Sequence, residues 1–576
     1  MFDEDCMLER AGKTPFWRTG LLCLGGLVAL VLLIAVLAGP LQILPAMDEA
    51  YIMVSARKMA DGMMPYRDFY DYLTPGSQLL GALYIQLNGF SVVGLRLLVV
   101  LGWLLEIILV CDMAKNRLSK VGLALLAAFL CLTNARYPVY QHHFWSGLTA
   151  TIAVYFAWRH LKETYAGRAS WLFLAGAGVF SALTFWVTQS LGVLITLGLG
   201  FFGLLHVLFQ EREERGVGFR QLSNAQVLRR WFRDWGPRWI LPMLSVHVVA
   251  VLILVSLGLW AAFVRDAILW VAGGNYQKST VIGYFTTFHQ EFVQTVAPLL
   301  AQLPTSYLAL FLFRVPIALH LFLIGVLPVV GILGAGYQLP GRFMYRLLRL
   351  QDEELLLWWL AGAAMVLSTF SYSTSMHIVS NGAIIYLVAA VVLQEWISRR
   401  HHLRKLFSAV MTGWLLLVLV GMVIGSGMPL LFSPRMPVLP GMPERLLYTD
   451  TAASVDEFAG VARFLQAAEE QGRTVFVFYE TPSLYLTGHF RNATRFTLVI
   501  PKVVTPPQAT EMLQDLEAHR PLYVVDDQAR LTLQRDHRFT QYTLEELTIP
   551  GLDPYMSRHY RLHATLGNYK IFRRLD

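Results

Sequence analysis

Charge is scarce in this chain. Of its 576 residues only 15% are Asp, Glu, Lys or Arg, where a soluble globular protein carries about a quarter. With 55% hydrophobic residues and a mean hydropathy of +0.49, that shortage excludes an ordinary soluble domain. Cysteine is nearly absent: Cys6, Cys23, Cys111 and Cys131 are the whole complement, and none lies in the C-terminal part. No disulfide framework and no CxxC metal site is therefore available there. The C-terminal part also has no GxGxxG and no P-loop, which argues against a nucleotide site. Solenoid-type repeats and low-complexity tracts are missing too. Ten-residue alternating strands do not occur in the apolar part, and this excludes a membrane β-barrel.

What the chain does have is long apolar runs, near 19–44, 91–112, 121–137, 146–160, 170–187, 190–209, 239–263, 306–335, 355–371, 380–397 and 406–428. Runs of about 20 residues predict membrane-spanning helices, about eleven of them. The first run contains Val36-Leu37-Ala38, a passable cleavage site, but it is longer than a signal peptide core and reads as an uncleaved anchor. Basic residues fall in alternate loops: Arg10, Lys13 and Arg18; Lys115, Arg117 and Lys120; Arg159, Lys162 and Arg168; the stretch from Arg212 to Arg238; Arg342, Arg346 and Arg349; Arg399, Arg400, Arg404 and Lys405. By the positive-inside rule the N-terminus is cytoplasmic, and an odd span count puts the C-terminal part outside. The net charge of +8 is accounted for by those loops, so nucleic acid is not an expected partner.

The expected organisation is a transmembrane domain over 1–430, a proline-rich linker over 431–450 and a small α/β domain over 451–576. In the last, SVDEFAGVARFLQAAEEQG reads as a helix capped by Ser454, with Glu457 at capping-box spacing. Strands are predicted at 474–479, 495–500 and 521–527, a helix over PPQATEMLQDLEAH, and a final hairpin turning at Gly567-Asn568. Two outer loops stand out, 45–90 and roughly 264–305. Within the first, 51–61 and 75–90 are too short to cross upright and predict interfacial or re-entrant helices.

The 45–90 loop follows the first apolar run directly and carries Asp48, Glu49, Asp68 and Asp71 with Arg57, Lys58 and Arg67. Charges beside a membrane span are costly and mark a functional candidate. On the outer side no cytosolic nucleotide sugar is at hand, so a sugar carried on a polyprenyl phosphate is the accessible donor. Its transfer needs a carboxylate to take the acceptor proton and cations or hydrogen-bond donors to hold the departing phosphate. Read without chemistry, the same carboxylates would cap interfacial helices and pair with the neighbouring basic residues. Other candidates are His142 and His143 beside Trp145, His289, His377, and Tyr276 with Lys278 in the second loop. Adjacent histidines do not share one helix face, so an interfacial anchor is the plainer reading of the first pair.

The pattern Asp48-Glu49-x-Tyr51 followed by Gly62-x-x-Pro65-Tyr66-Arg67-Asp68-Phe69-x-Asp71-x-x-x-Pro75-Gly76 resembles bacterial GT-C glycosyltransferases. It is similar to the protein O-mannosyltransferase-like group, which includes the lipid A aminoarabinose transferases. The match covers about 48–100, including Arg96. The resemblance implies a GT-C fold of about eleven transmembrane helices in a bacterial inner membrane, with the C-terminal domain in the periplasm. It also implies a polyprenyl-phosphate sugar donor and a lipid, glycan or protein acceptor. Asp48 would then be the base, with Glu49 supporting it, and Asp68 or Asp71 would be a second carboxylate for acceptor or a divalent metal. Tyr51, Arg57, Lys58, Arg67, Tyr276 and Lys278 would serve the donor phosphate. The chain departs from the aminoarabinose transferases at Leu73-Thr74-Pro75, where they carry Lys-Pro-Pro, so Lys58 or Lys278 would take over that lysine's duty. Two other classes fit less well. A lipid-linked sugar transporter would favour charges at the bilayer midplane, whereas these carboxylates gather at one face. A non-catalytic envelope-assembly protein would put the work in the outer domain.

Overall fold

The computed structural model describes residues 37, 39–45, 47–135, 137–168, 170–216, 224–272, 315–337, 352–369, 375–398, 401–432, 435–439, 441–447, 452–470, 474–478, 482–488, 490–499, 504–527 and 548–575. Most of the first apolar run and most of the second loop, with Tyr276, Lys278 and His289, lie outside the described residues.

Helices stand at each remaining apolar run: α3 (Val92–Ala114), α4 (Lys120–Ala135), α5 (His142–Tyr165), α6 (Trp171–Val187), α7 (Gln189–Arg215), α9 (Gly236–Ser256), α10 (Val315–Tyr337), α11 (Glu353–Ser368), α13 (Ala383–Ser398) and α14 (His401–Phe432). Among the described residues, four of them are long and apolar enough by themselves to cross a bilayer. Preceding them are α1 (Met47–Ala60) and α2 (Gly76–Asn88), where the two short helices are expected; α8 (Asn224–Asp234) and α12 (Ser375–Asn381) are short connectors. In α1 the acidic residues Asp48 and Glu49 occupy the first turn and Arg57 and Lys58 the last, which matches the helix dipole at both ends. The helix stops at Gly62, whose φ of +86° glycine adopts without steric cost.

The bundle has a loop end, where α1, α2 and the starts of α3 and α5 meet, and a far end. At the far end Arg117 donates to Asp352 (2.8 Å) and Glu354 (3.2 Å), Lys162 pairs with Glu354, and His206 meets Glu353 at 2.6 Å. These contacts tie α3, α5, α7 and α11 together. Helices approach closely through glycine. A Cβ on Gly147 would lie 1.9 Å from the Ser380 carbonyl, and one on Gly178 would lie 2.2 Å from that of Trp239. Those two glycines let α12 sit on α5 and α9 on α6.

Beyond α14 the chain builds α15 (Ala452–Glu470), α16 (Pro506–His519), α17 (Leu552–His559) and a four-stranded sheet. Its strands β1 (Val475–Phe478), β2 (Tyr523–Asp526), β3 (Tyr560–Leu566) and β4 (Tyr569–Arg574) lie in the order β1-β2-β4-β3. β1 and β2 are parallel, with Val475 opposite Tyr523, and the β3-β4 hairpin turns at Gly567-Asn568 as expected. Two expectations fail. Over its described residues, 495–499, the expected strand does not form: the chain runs through bends, and the Asn492 side chain donates to the Phe496 carbonyl at 2.6 Å. α15 begins at Ala452, so Ser454 lies inside the helix and is not its cap.

Gly147→Ala is expected to destabilise the bundle by about 1–3 kcal/mol, because the added methyl meets backbone that has to move. Thermal unfolding of the purified protein in detergent checks this.

Candidate functional site

The loop end is built on one buried ion pair. Glu49 is 3% exposed and Arg96 2%. The guanidinium donates from Nε to Oε1 at 2.8 Å and from Nη2 to Oε2 at 2.5 Å. Its remaining nitrogen reaches the carbonyls of Pro40, Leu41 and Ile43 at 3.1, 3.0 and 2.5 Å. The Tyr140 backbone N–H donates to Glu49 Oε1 at 2.8 Å. One pair therefore joins the chain before α1, the start of α1, the start of α3 and the approach to α5. Asp48 precedes Glu49 in the same helical turn and is half-buried, at a helix N-terminus where negative charge is favoured.

Asp71 is 1% exposed. It accepts from the Tyr51 hydroxyl, the Leu73 N–H and Gln78 Nε2, each at 3.0 Å. Burial pushes its pKa up to about 7, only partly offset by those donors and by the Lys58 charge. Lys58 is half-buried, donates to Thr497 Oγ1 at 2.6 Å and lies 5.3 Å above the Phe69 ring. Burial lowers its pKa to about 8, against the pull of Asp71. Tyr51 stacks on Tyr72 at 5.7 Å, and Tyr72 in turn lies 5.1 Å from Trp270, so the buried carboxylate sits under an aromatic layer.

Asp68 lies elsewhere. It accepts the Met64 N–H at 2.7 Å and pairs with Arg67 at 2.8 Å, at the loop surface where Arg67 is 58% exposed. The hydrogen bond from Arg67 holds its carboxyl below the usual range. That is the turn-and-pair arrangement of the plainer reading. Between them, Tyr66 has a φ of +68°, a conformation costly for a residue with a Cβ. Its hydroxyl donates to the Leu73 carbonyl at 2.6 Å and its ring meets Phe263 edge-on at 5.4 Å.

The C-terminal unit closes over this loop. Arg57 donates to the carbonyls of Gly441 (3.3 Å) and Leu486 (3.2 Å), so it joins the two parts of the chain. The Tyr70 N–H donates to the Arg495 carbonyl at 2.8 Å. The Arg495 guanidinium pairs with Asp266 at 2.9 Å and with Glu511, and lies 5.3 Å from the Tyr70 ring. Composition carried no signal for Arg495, Asp266, Tyr140 or Gln78. Arg96 did carry one: a lone arginine in the first turns of an apolar run is costly unless paired.

His142, His143 and His377 are brought together although they lie on two helices, with ring centroids 3.9 Å apart from His142 to His143 and 3.9 Å from His143 to His377. Among the described residues no group of three His, Cys, Asp or Glu side chains is placed to hold a metal ion, and the loop carboxylates are dispersed over separate partners. An apolar cavity of about 460 Å³ lies between α4, α10, α13 and α14, towards the far end. Its described lining has no carboxylate, lysine or histidine, so it is not part of this site.

Comparison with solved structures places this architecture. ArnT from Cupriavidus metallidurans bound to undecaprenyl phosphate superposes with a TM-score of 0.53 at 13% identity, covering 96% of this chain and 98% of that one. The apo state of the same protein gives a TM-score of 0.53 at 12% identity over the same shares. The fold is that of the GT-C glycosyltransferases. The likeness takes in the C-terminal unit as well as the bundle, since nearly the whole of each chain is covered, and the GT-C fold with its apolar helices makes this a multi-pass membrane protein. No protein-family model and no curated protein sequence matches the chain.

Two outcomes test the site's construction. Arg96→Ala leaves Glu49 buried and unpaired and is expected to cost about 3–5 kcal/mol, read by unfolding in detergent; Glu49→Leu combined with Arg96→Met should recover part of that loss. Asp71, with its folded pKa raised, stabilises the fold most fully below pH 4, and this contribution is lost as pH rises towards 7. Stability relative to Asp71→Asn should therefore fall across pH 4–7, by on the order of a few kcal/mol, in melts at matched ionic strength.

Proposed function

We propose that this chain is a membrane glycosyltransferase that takes a sugar from a polyprenyl-phosphate donor and transfers it to a hydroxyl or amine outside the cytoplasm. The observation that carries the reading is the clamp on Glu49. It ties the first turn of α1 to three other segments, the chain before α1, the start of α3 and the approach to α5, and so restrains the adjoining Asp48 at the loop end of the bundle. A base that attacks through its acceptor must be held to a fraction of an ångström, and rigid neighbours supply that. The related fold was solved with undecaprenyl phosphate bound, and this supports a lipid-phosphate donor here.

In this reading Asp48 takes the acceptor proton while the acceptor oxygen or nitrogen attacks the anomeric carbon. The bond to the donor phosphate breaks on the opposite side and the centre inverts. Negative charge grows on the departing phosphate, and cations stabilise it in the transition state. Lys58 is a loop cation whose charge acts on the buried carboxylate, and Lys278 of the second loop would complement it. Asp71, near neutrality in its titration, orders Tyr51 and Gln78 and serves as the second carboxylate. Glu49 works through position alone. Arg57 and Arg67 are engaged by the C-terminal unit and by Asp68, so the phosphate falls to the lysines. About eleven spans, a cytoplasmic N-terminus and an exocytoplasmic C-terminal unit that covers the acceptor complete the reading.

Asp48→Asn keeps the shape and removes the base. Transfer is expected to fall by about 10²–10⁴-fold, with an unchanged melting temperature. Mass spectrometry of envelope glycolipids and glycoproteins, from cells carrying the wild type, the variant or no copy of the gene, reads the missing sugar and its acceptor. Full transfer by Asp48→Asn would overturn the assignment of the base, and identical glycan profiles with and without the gene would overturn the activity.

A further inference from the structure

At the far end, α8 (Asn224–Asp234) connects α7 to α9, two helices that are each long and apolar enough to cross a bilayer. A connector between two spans lies at the membrane surface. Its sequence, NAQVLRRWFRD, divides sharply around the helix. Val227 is buried and Trp231 half-buried against the bundle. Leu228 and Phe232, one turn apart, are 46% and 57% exposed, and on a helix they form a single apolar strip. Arg229 and Arg233 each follow one of them in sequence, about 100° further round, and both are exposed; Arg233 also pairs with Asp234 at 2.8 Å, a surface pair that a phosphate headgroup would compete with. Arg230 points the other way. It pairs with Glu211 at 3.2 Å and Glu214 at 2.6 Å at the end of α7, and with Asp234 at 3.3 Å, which locks the rotation of the helix. The strip is thus held outward and is not free to turn in. The adjoining face of α9 is also apolar and exposed, with Leu241 63%, Leu244 46% and Val248 54% accessible, so the lipid-facing surface of the span continues onto the connector.

We infer that α8 is an in-plane membrane helix that seats Leu228 and Phe232 among acyl chains and binds anionic phospholipid headgroups through Arg229 and Arg233. An apolar strip flanked by arginines has the make-up of helices that lie in the interface. The charge selects the lipid: a zwitterionic headgroup offers no net attraction to the two guanidinium groups, whereas phosphate-bearing anionic lipids do, and arginine grips phosphate with two parallel hydrogen bonds. The inference is independent of the proposed transfer reaction, because it concerns the opposite end of the bundle.

Hydrogen exchange of the full chain tests it, in nanodiscs of phosphatidylcholine alone and of phosphatidylcholine mixed with phosphatidylglycerol. Peptides covering 224–234 should exchange about 10–30-fold more slowly in the anionic discs, from the combined contribution of two arginines near a charged surface. Arg229→Gln with Arg233→Gln should abolish that difference while α7 and α9 keep their protection. Leu228→Ser with Phe232→Ser should speed exchange of the helix in both lipids. Equal exchange of the wild type in both discs overturns the inference, as does a lipid difference that survives the arginine substitutions. Protection that arises only when a soluble protein partner is added overturns it too.

Discussion

The Glu49–Arg96 pair is the constraint on which the loop end depends. Two charges withdrawn from water cost several kcal/mol each, and only good geometry with full hydrogen bonding offsets this. Here the geometry is bidentate, and the spare donor of the arginine is used on three carbonyls while the glutamate takes a backbone N–H. A hydrophobic pair of equal volume could match the stability. It could not stitch four separate segments together with directional contacts, and so could not fix where the first turn of α1 begins. That is a reason for an ion pair at a position where leucine would be cheaper.

A second consequence concerns the basic residues of the loop. Their attraction as phosphate ligands rested on their being near the carboxylates in sequence. The fold distributes them. Arg57 secures the C-terminal unit, Arg67 pairs with its neighbour Asp68, and the Lys58 charge acts on Asp71. With Arg495 reaching back to Asp266 and Tyr70 from the other side, the loop and the C-terminal unit are interlocked. Disturbing the small α/β unit is thus a way of disturbing the candidate site.

The likeness to ArnT at 12–13% identity over nearly the whole chain has a physical basis. A bundle of apolar helices is specified by helix length, by small residues where backbones touch and by a few buried polar ties. Most apolar positions tolerate any side chain of suitable volume. Identity can therefore drain away while the arrangement persists.

The sequence by itself determined the helical membrane class, the position of the apolar helices and of the two short helices around the acidic loop, and the hairpin at the end. Each is written in a local signal: runs of apolar residues, the Asp-Glu and Pro-Gly punctuation, and the Gly567-Asn568 turn. Where the signal was ambiguous the reading went astray, as in RFTLVI, whose β-branched residues suit a strand but whose backbone is held in turns around Asn492 and Thr494. Only the tertiary structure decided which charges meet. Glu49 finds Arg96 at a sequence separation of 47, Lys58 finds Thr497 at 439, and three histidines converge from two helices. Such partners are chosen by how helices pack and by what burial makes intolerable to leave unpaired, and neither is visible in the order of the residues.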